Sequence, residues 1–209
     1  MDKPFTKYDI SAAGCILTGG QSRRMGTDKA LMELNGKTLL TIAIERFKGF
    51  PEILISAAAS EHYAFTGLRV VPDERPGIGP LGGFISVLRA AESDIVCFMP
   101  VDAPLVPAEI LHLLAGACSG KDAAVPMYKG SVEPMMACLS KASLPVLERM
   151  AAEGNYKVAD AFILLDTSYV TLESPEMLQK FGEPSAYLIN VNDKVSFEKL
   201  GSADTGAPF

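Results

Sequence analysis

Residues 12–29 read AAGCILTGGQSRRMGTDK, an apolar run that passes directly into a glycine-rich, basic segment. The apolar run, residues 12–17, predicts a buried strand, and Thr18-Gly19-Gly20 ends it with residues that allow a sharp turn. Paired glycines let a backbone approach phosphates closely and turn consecutive N–H groups toward their oxygens. Arg24 and Lys29 add cations that bind phosphate. The segment therefore predicts a phosphate-binding loop, although it matches neither the Walker A pattern nor G-x-G-x-x-G.

Apolar strands alternate with amphipathic helices through the first half of the chain. This alternation predicts an α/β fold with a mostly parallel sheet covered by helices. The unbroken apolar run at 95–99 is typical of a strand buried on both faces. Besides 12–17, the predicted strands are 53–55, 68–71 and 95–99, and the helices are 39–47 and 81–91. Ligands bind such sheets beyond the carboxyl ends of the strands, where the sequence has Gly19, Gly20, Ser56, Asp73 and Asp102.

The second half of the chain is less regular. Its predicted helices are 108–117, 144–152 and 157–164, and its predicted strands are 123–126, 135–139 and 187–191. A turn is expected at 128–131, and Asp193 is placed to cap a final helix. Because no repeat or linker interrupts the sequence, we expect a single domain over 1–209. Within it, 12–105 would form the nucleotide-binding half, 106–201 the acceptor-binding half and 202–209 a frayed tail.

Composition excludes several classes of protein. The chain has 209 residues, 48% hydrophobic and 21% charged, which is ordinary for a globular domain. A net charge of −6 gives no general attraction to nucleic acid. Without a signal peptide or an apolar run of about 20 residues, no membrane association is expected and the cytoplasm is the default location. The isolated histidines are not predicted to be catalytic, and the cysteines are predicted to be buried reduced thiols rather than disulfides or zinc ligands: Cys15, Cys97, Cys118 and Cys138.

The pattern L-x-G-G-x-S-x-R-M-G-x-D-K, from Leu17 to Lys29, resembles the signature loop of the MobA-type nucleotidyltransferases. Within that family the chain is most similar to the molybdenum cofactor guanylyltransferases. The resemblance implies a Rossmann-like three-layer sandwich of the nucleotide-diphospho-sugar transferase type. In that family the loop wraps the triphosphate, and the lysine that matches Lys29 neutralises charge as pyrophosphate leaves. The resemblance covers roughly residues 12 to 200.

Three further segments carry the resemblance. Asp102 lies in Pro100-Val101-Asp102-Ala103-Pro104, which is similar to the family's P-x-D-x-P metal element. A carboxylate there suits Mg²⁺, with Mn²⁺ as an alternative. Asp73 matches an aspartate that contacts the nucleotide, and Gly79 begins a G-P-L-x-G element beside the nucleotide. Asn190 and Asn192 match an N-x-N element near the metal and the acceptor.

The resemblance implies a set of residue roles. It makes Arg24, Lys29 and Asp102 catalytic, with Asp102 also the metal ligand, and it places Asn190 and Asn192 on the acceptor side. The implied nucleotide-binding residues are Leu17, Thr18, Gly19, Gly20, Arg24, Lys29, Ser56, Asp73, Gly79 and Asp102. The implied reaction transfers GMP from GTP to molybdopterin or its molybdenum form, with release of pyrophosphate. A molybdoenzyme apoprotein or maturation chaperone would then receive the product.

The sequence gives the least information about the base of the nucleotide and about the acceptor molecule. Guanine-specific relatives often have asparagines after the second strand, where this chain has the small residues 56–60, so Ser56 and backbone groups would read the base. Lys129, Glu133 and Lys157 are candidates to meet an anionic pterin. CTP as the donor and a sugar or polyol phosphate as the acceptor are alternatives within the fold. A nucleotide-binding regulator or cofactor chaperone that performs no chemistry is the alternative from another class.

Overall fold

A computed structural model of the protein describes residues 11–19, 28–58 and 60–191, with only the backbone described for 60–62. The strands in these ranges are β1 Ala12–Leu17, β2 Glu33–Leu34, β3 Lys37–Thr38, β4 Ile53–Ala57, β5 Arg69–Pro72, β6 Ile95–Pro100, β7 Ala123–Tyr128, β8 Ser131–Val132, β9 Cys138–Ser140 and β10 Thr167–Thr171. The α-helices are α1 Leu39–Arg46, α2 Pro80–Ala90, α3 Ala108–Ala117, α4 Leu144–Ala152, α5 Val158–Leu164, α6 Pro175–Phe181 and α7 Pro184–Tyr187.

Eight of these strands form one mostly parallel sheet. Its order is β10-β7-β9-β6-β1-β4-β5, with β8 added to β7. The pairs β1–β4, β1–β6, β4–β5 and β7–β10 are parallel, whereas β9 is antiparallel to both of its neighbours. The strands predicted from the first half of the chain are all present, so the α/β prediction is confirmed. The short strands β2 and β3 form a separate hairpin.

Helices cover both faces of the sheet, which gives three layers. The apolar residues of α1 and α3 join one buried cluster, and those of α2, α4 and α5 join another on the opposite face. All six residues of β1 are buried between these layers, as an unbroken apolar strand requires. Gly14 lets the layers close, because the Phe47 ring occupies the space that a Cβ atom at this position would fill.

The C-terminal part departs from prediction. The strand predicted over 187–191 is wrong: the chain forms α7 and then an irregular segment up to Val191. Pro184 begins that helix, a position that proline favours. Strand β10 and helix α6 were not predicted, although the residues TSYVT of β10 are strand-forming and Ser174 caps α6 before Pro175. Asp193 and the tail 202–209 lie outside the described residues.

The prediction for the cysteines is half wrong. Cys97 and Cys138 are cross-strand partners on β6 and β9, and their sulfurs form a disulfide. This pair could not be predicted from the sequence, because 41 residues separate the two cysteines and only the antiparallel register of β6 and β9 brings them together. Cys15 and Cys118 are free and buried, as expected. Burial raises the pKa of the Cys15 thiol, and burial together with the charge of Asp122 raises that of Cys118 to about 12.

Among the helices in the described ranges, none combines the length and apolar character needed to cross a membrane.

Candidate active site

The carboxyl ends of four neighbouring parallel strands meet at one edge of the sheet, which we call the carboxyl edge. β1 ends there at Leu17, whose register partners are Ser56 on β4 and Pro100 on β6. Asp73 follows the end of β5, and Asp102 follows the end of β6. The fold therefore brings together side chains that lie up to 85 residues apart in sequence, between Leu17 and Asp102.

A cavity of about 470 Å³ opens at this edge. That volume lies within the roughly 300–1,000 Å³ range that is usual for small-molecule sites. Five residues predicted to bind the nucleotide line it: Leu17, Gly19, Ser56, Asp73 and Gly79. The rest of the lining consists of small or apolar side chains, namely Ala57, Ala58, Gly77, Pro80, Gly83 and Met135.

Helix α2 comes unusually close to the strand ends that carry Ser56 and Asp73. A Cβ atom at Gly83 would lie 2.9 Å from Ser56 Oγ, and one at Gly82 would lie 2.5 Å from Asp73 Oδ1. Real Cβ atoms do not approach other atoms so closely, so Gly82, which also faces the Arg75 backbone, requires glycine, whereas at Gly83 a Cβ atom would require the Ser56 hydroxyl to rotate away. Gly79 has a φ of +65° and turns the chain into the helix just before Pro80.

Polar contacts hold the loop between β5 and α2 on that helix. Asp73 Oδ1 accepts a hydrogen bond from the Arg75 N–H at 2.8 Å. The Glu74 N–H donates to Ser86 Oγ at 3.0 Å, and the same hydroxyl donates to the Gly82 carbonyl at 2.8 Å. Ser86 is only 1% exposed. The loop that carries Asp73 is thus fixed by a buried hydroxyl on the helix.

Lys29 and Asp102 form an ion pair at the carboxyl edge, with 3.5 Å between Lys29 Nζ and Asp102 Oδ2. Their side chains are 18% and 22% exposed, so the pair is open to a ligand but largely shielded from water. Lys29 begins a 3₁₀ turn, Lys29–Leu31, that Asp28 caps by accepting from the Ala30 N–H at 3.0 Å. Two segments 73 residues apart therefore place a cation and a carboxylate side by side.

The backbone around Asp102 is fixed from two sides. Its carbonyl accepts from the Val191 N–H at 2.8 Å, which ties the segment that contains Asn190 to this loop. On the other side, Arg46 Nη2 donates to the Pro104 carbonyl at 2.9 Å. Burial lowers the pKa of the Arg46 guanidinium. Asn190 is exposed beside Val191 in an irregular segment rather than on a strand.

The three residues predicted to contact the acceptor are dispersed, and none of them lines the cavity. Lys129 lies in the β7–β8 turn with a φ of +49°, and its Nζ is 5.0 Å from the centroid of the Tyr128 ring. Glu133 is partly buried, and this burial raises its pKa. Lys157 pairs with Asp160 at 3.1 Å and is 73% exposed.

Some predicted site residues lie outside the described residues, and sequence reasoning missed others. Gly20, Arg24 and Asn192 fall in ranges that the structure does not describe, so their roles stay predictions. Gly83 lines the cavity; the sequence placed its G-P-L-x-G element beside the nucleotide but named only Gly79 as a binding residue. Met135 lines it as well, and no sequence signal marks this residue, because it reaches the carboxyl edge only through the antiparallel course of β9.

Fold and site together define a nucleotidyltransferase. The chain belongs to the MobA-like NTP transferase family, whose domain model matches residues 14–165. It is 34% identical over 186 residues to "Probable molybdenum cofactor guanylyltransferase" of Carboxydothermus hydrogenoformans, spanning 88% of this chain and 92% of that protein. It is also 34% identical over 182 residues to a molybdenum cofactor guanylyltransferase of Shewanella sp. strain MR-4, spanning 79% and 92%.

The same fold occurs in a solved structure. The crystal structure of molybdopterin-guanine dinucleotide biosynthesis protein A from Archaeoglobus fulgidus superposes with a TM-score of 0.75 at 24% identity, covering 90% of this chain and 96% of that one. This agreement confirms the predicted three-layer sandwich of the nucleotide-diphospho-sugar transferase type.

Proposed function

We propose that the protein transfers GMP from GTP to the terminal phosphate of molybdopterin, or of its molybdenum form, and releases pyrophosphate. The observation that carries this proposal is the Lys29–Asp102 pair, held at 3.5 Å on the edge of the sheet that also carries the cavity. The names of the relatives support the choice of GTP and of molybdopterin. CTP remains the competing donor, because the wall formed by Ala57 and Ala58 has no side chain that selects guanine.

The nucleoside would occupy the cavity, with the base and ribose near Ser56, Asp73 and Gly79. The triphosphate would run along the glycine-rich segment that starts at Gly19, where backbone N–H groups suit phosphate oxygens. Arg24 is proposed from its sequence position to bind the same phosphates. This orientation directs the phosphates toward Lys29 and Asp102 and so places the reacting phosphorus near both charges.

The residues present fit a magnesium ion that is shared with the substrate. Within the described residues, no group of three or more His, Cys, Asp or Glu side chains could hold a metal alone. Mg²⁺ usually takes one or two carboxylates, several waters and substrate phosphates, and Asp102 supplies such a carboxylate. When bound, Mg²⁺ or Mn²⁺ would add positive charge to the phosphates and favour pyrophosphate as a leaving group.

In the proposed reaction an oxygen of the acceptor phosphate attacks the α-phosphorus of GTP. A new P–O bond forms as the bond from the α-phosphorus to the bridging oxygen of pyrophosphate breaks, and the electron pair leaves with pyrophosphate. Lys29 neutralises the charge that develops on that leaving group. No protein nucleophile is needed because the acceptor is already an anion. Asn190 and Asn192 are proposed to orient the acceptor, which Lys129, Glu133 or Lys157 would meet from the other half of the chain.

The proposal is tested by measuring pyrophosphate release with each of four NTPs, with and without molybdopterin. We expect release that needs both GTP and the acceptor. We expect Lys29→Met and Asp102→Asn each to lower turnover by about 10²-fold or more, the usual cost of losing one charge-stabilising group. The matched control is the Lys121–Asp166 pair at the opposite edge of the sheet, 2.9 Å apart, where Lys121→Met should leave turnover unchanged. Activity with CTP but not with GTP would show that CTP is the donor. Undiminished turnover in both Lys29→Met and Asp102→Asn would overturn the mechanism.

The product is proposed to pass to a molybdoenzyme apoprotein or to a maturation chaperone. If the protein instead only binds nucleotide for regulation, GTP would bind and no pyrophosphate would appear with any acceptor.

A further inference from the structure

Tyr63 is a buried tyrosine that the mechanism above does not use. It follows β4 in the 3₁₀ segment Ser60–Thr66 and is only 4% exposed. Its hydroxyl donates a hydrogen bond to Asp28 Oδ2 at 2.8 Å, across 35 residues of sequence. A buried hydroxyl placed on a carboxylate is a strong, directional contact, and it fixes the side chain of Asp28.

The two described ends of the glycine-rich segment are held by different contacts. Asp28 lies at the far end and accepts from Tyr63, whereas Thr18 lies at the near end. Thr18 is held on β4, since its hydroxyl donates to the Ser56 carbonyl at 2.8 Å. Burial and then the negative charge of Asp28 raise the pKa of Tyr63 to about 12, although the nearby Thr18 hydroxyl opposes the rise. The phenol is therefore protonated at neutral pH and remains a donor to Asp28.

Asp28 transmits this contact to Lys29. One carboxylate oxygen accepts from Tyr63, while the other caps the turn Lys29–Leu31 through the Ala30 N–H at 3.0 Å. That turn carries the lysine whose Nζ lies 3.5 Å from Asp102. A lysine has four rotatable side-chain bonds and loses much conformational freedom when it is held in one place. Fixing its backbone in advance sets the point from which the side chain reaches Asp102, so less positional freedom remains to be lost during the reaction.

We propose that Tyr63 is a positioning residue for nucleotidyl transfer: its hydroxyl holds Asp28 at the end of the glycine-rich segment, and Asp28 in turn holds the turn that places Lys29 beside Asp102. The inference rests on the proposed function, because it assigns Lys29 to the chemical step. Tyr63 lies outside the glycine-rich motif, and the proposed phosphate contacts do not involve it. Because Lys29 acts on the leaving group, the loss should appear in kcat more than in the KM for the nucleotide.

The test is Tyr63→Phe, which keeps the buried ring and removes only the hydroxyl. Tyr169→Phe is the matched control, since the Tyr169 hydroxyl donates to the Phe162 carbonyl at the same 2.8 Å distance, on edge strand β10. Tyr169 is 47% exposed and bonds a neutral carbonyl, so Tyr169→Phe should lose less thermal stability than Tyr63→Phe, and kcat is compared at a temperature where both variants are fully folded. Only Tyr63→Phe should lower kcat, by about tenfold, as expected when a hydrogen bond to a charged group is lost.

A double-mutant cycle with Lys29→Met decides whether the effect passes through Lys29. In the Lys29→Met background, Tyr63→Phe should cause no further fall in the residual rate, because residues that act as a unit are not additive. An unchanged kcat in Tyr63→Phe, or a tenfold fall that persists without Lys29, would overturn the inference alone. If Lys29→Met itself keeps full turnover, the proposed function fails instead, so the two failures are distinguishable.

Discussion

Replacing Gly82 by alanine tests how tightly helix α2 is packed on the carboxyl edge. The new Cβ atom would lie 2.5 Å from Asp73 Oδ1, 2.8 Å from Asp73 Oδ2 and 3.0 Å from the Arg75 carbonyl oxygen. Rotating the Asp73 side chain relieves the first two contacts but breaks the hydrogen bond from the Arg75 N–H. The third contact is with backbone, so the loop itself must shift.

Two opposing free energies set the effect of Gly82→Ala on stability. Gly82 lies in the first turn of α2, where alanine in place of glycine stabilises the helix by at most about 0.8–1.0 kcal/mol. Overpacking a close contact costs about 1–3 kcal/mol. The net loss is therefore roughly 1 kcal/mol, which lowers the melting temperature of a domain of this size by about 2–4 °C. Displacement of Asp73 removes one polar contact from the cavity, and a loss of about 1 kcal/mol there weakens nucleotide binding about fivefold.

The assays are thermal unfolding and nucleotide binding by calorimetry, with Gly83→Ala as the comparison. A Cβ atom at Gly83 meets only Ser56 Oγ, at 2.9 Å, and one hydroxyl can rotate away. Gly83→Ala should therefore be at least as stable as the parent protein, and adding Asp73→Ala to Gly82→Ala should recover part of the lost stability. If Gly82→Ala melts higher than the parent and binds GTP equally well, the close packing inferred for this helix is wrong.

Three further substitutions test other parts of the structure. Gly14→Ala drives a Cβ atom into the buried Phe47 ring and should cost about 1–3 kcal/mol in thermal unfolding. Ser86→Ala and Ser143→Ala each remove a hydrogen bond from a buried serine, so both should destabilise slightly, but only Ser86→Ala should raise the KM for the nucleotide. His112 is partly buried, and this burial lowers its pKa below 6.5. Protonation therefore favours the unfolded chain, and the free energy of unfolding should fall as the pH drops from 6.5 toward the pKa of His112 in the folded protein. Chemical denaturation between pH 8 and 5 measures this fall. The contribution of His112 to it should be missing in His112→Gln.

The central part of the fold could be predicted because its signals are local. β1 and β6 are short apolar runs closed by glycine or proline, and a strand buried on both faces must have that composition. Helices α3 and α4 have the bounds that the sequence predicts: α3 begins just after Pro107, and α4 has Pro145 in its first turn. The end of the chain gave weaker signals. The apolar residues of 187–191 resemble a strand, although they fill a core around α7 and Val191.

The sequence predicted which residues lie at the site but not which side chains contact each other there. Strand ends indicate which residues share an edge, so Ser56, Asp73 and Asp102 could be grouped from sequence alone. The partner of each residue could not be identified in this way. Tyr63 lies 35 residues after Asp28, inside an irregular segment, and no spacing rule connects the two. The Cys97–Cys138 bond depends in the same way on cross-strand register rather than on any motif.

The two regions of the carboxyl edge differ in what their side chains can specify. In the proposed mechanism the chemistry around Lys29 and Asp102 is carried by charge, which does not distinguish one nucleoside triphosphate from another because their phosphate groups are alike. At the proposed base site, the wall contains Ala57, Ala58 and a glycine-rich helix start, so recognition would come from backbone groups, the buried Ser56 and the Asp73 carboxylate. Backbone groups discriminate only when their positions are fixed. The absence of a Cβ atom at Gly82, which lets α2 pack directly on the end of β5, would therefore contribute to base recognition alongside the polar side chains of the cavity.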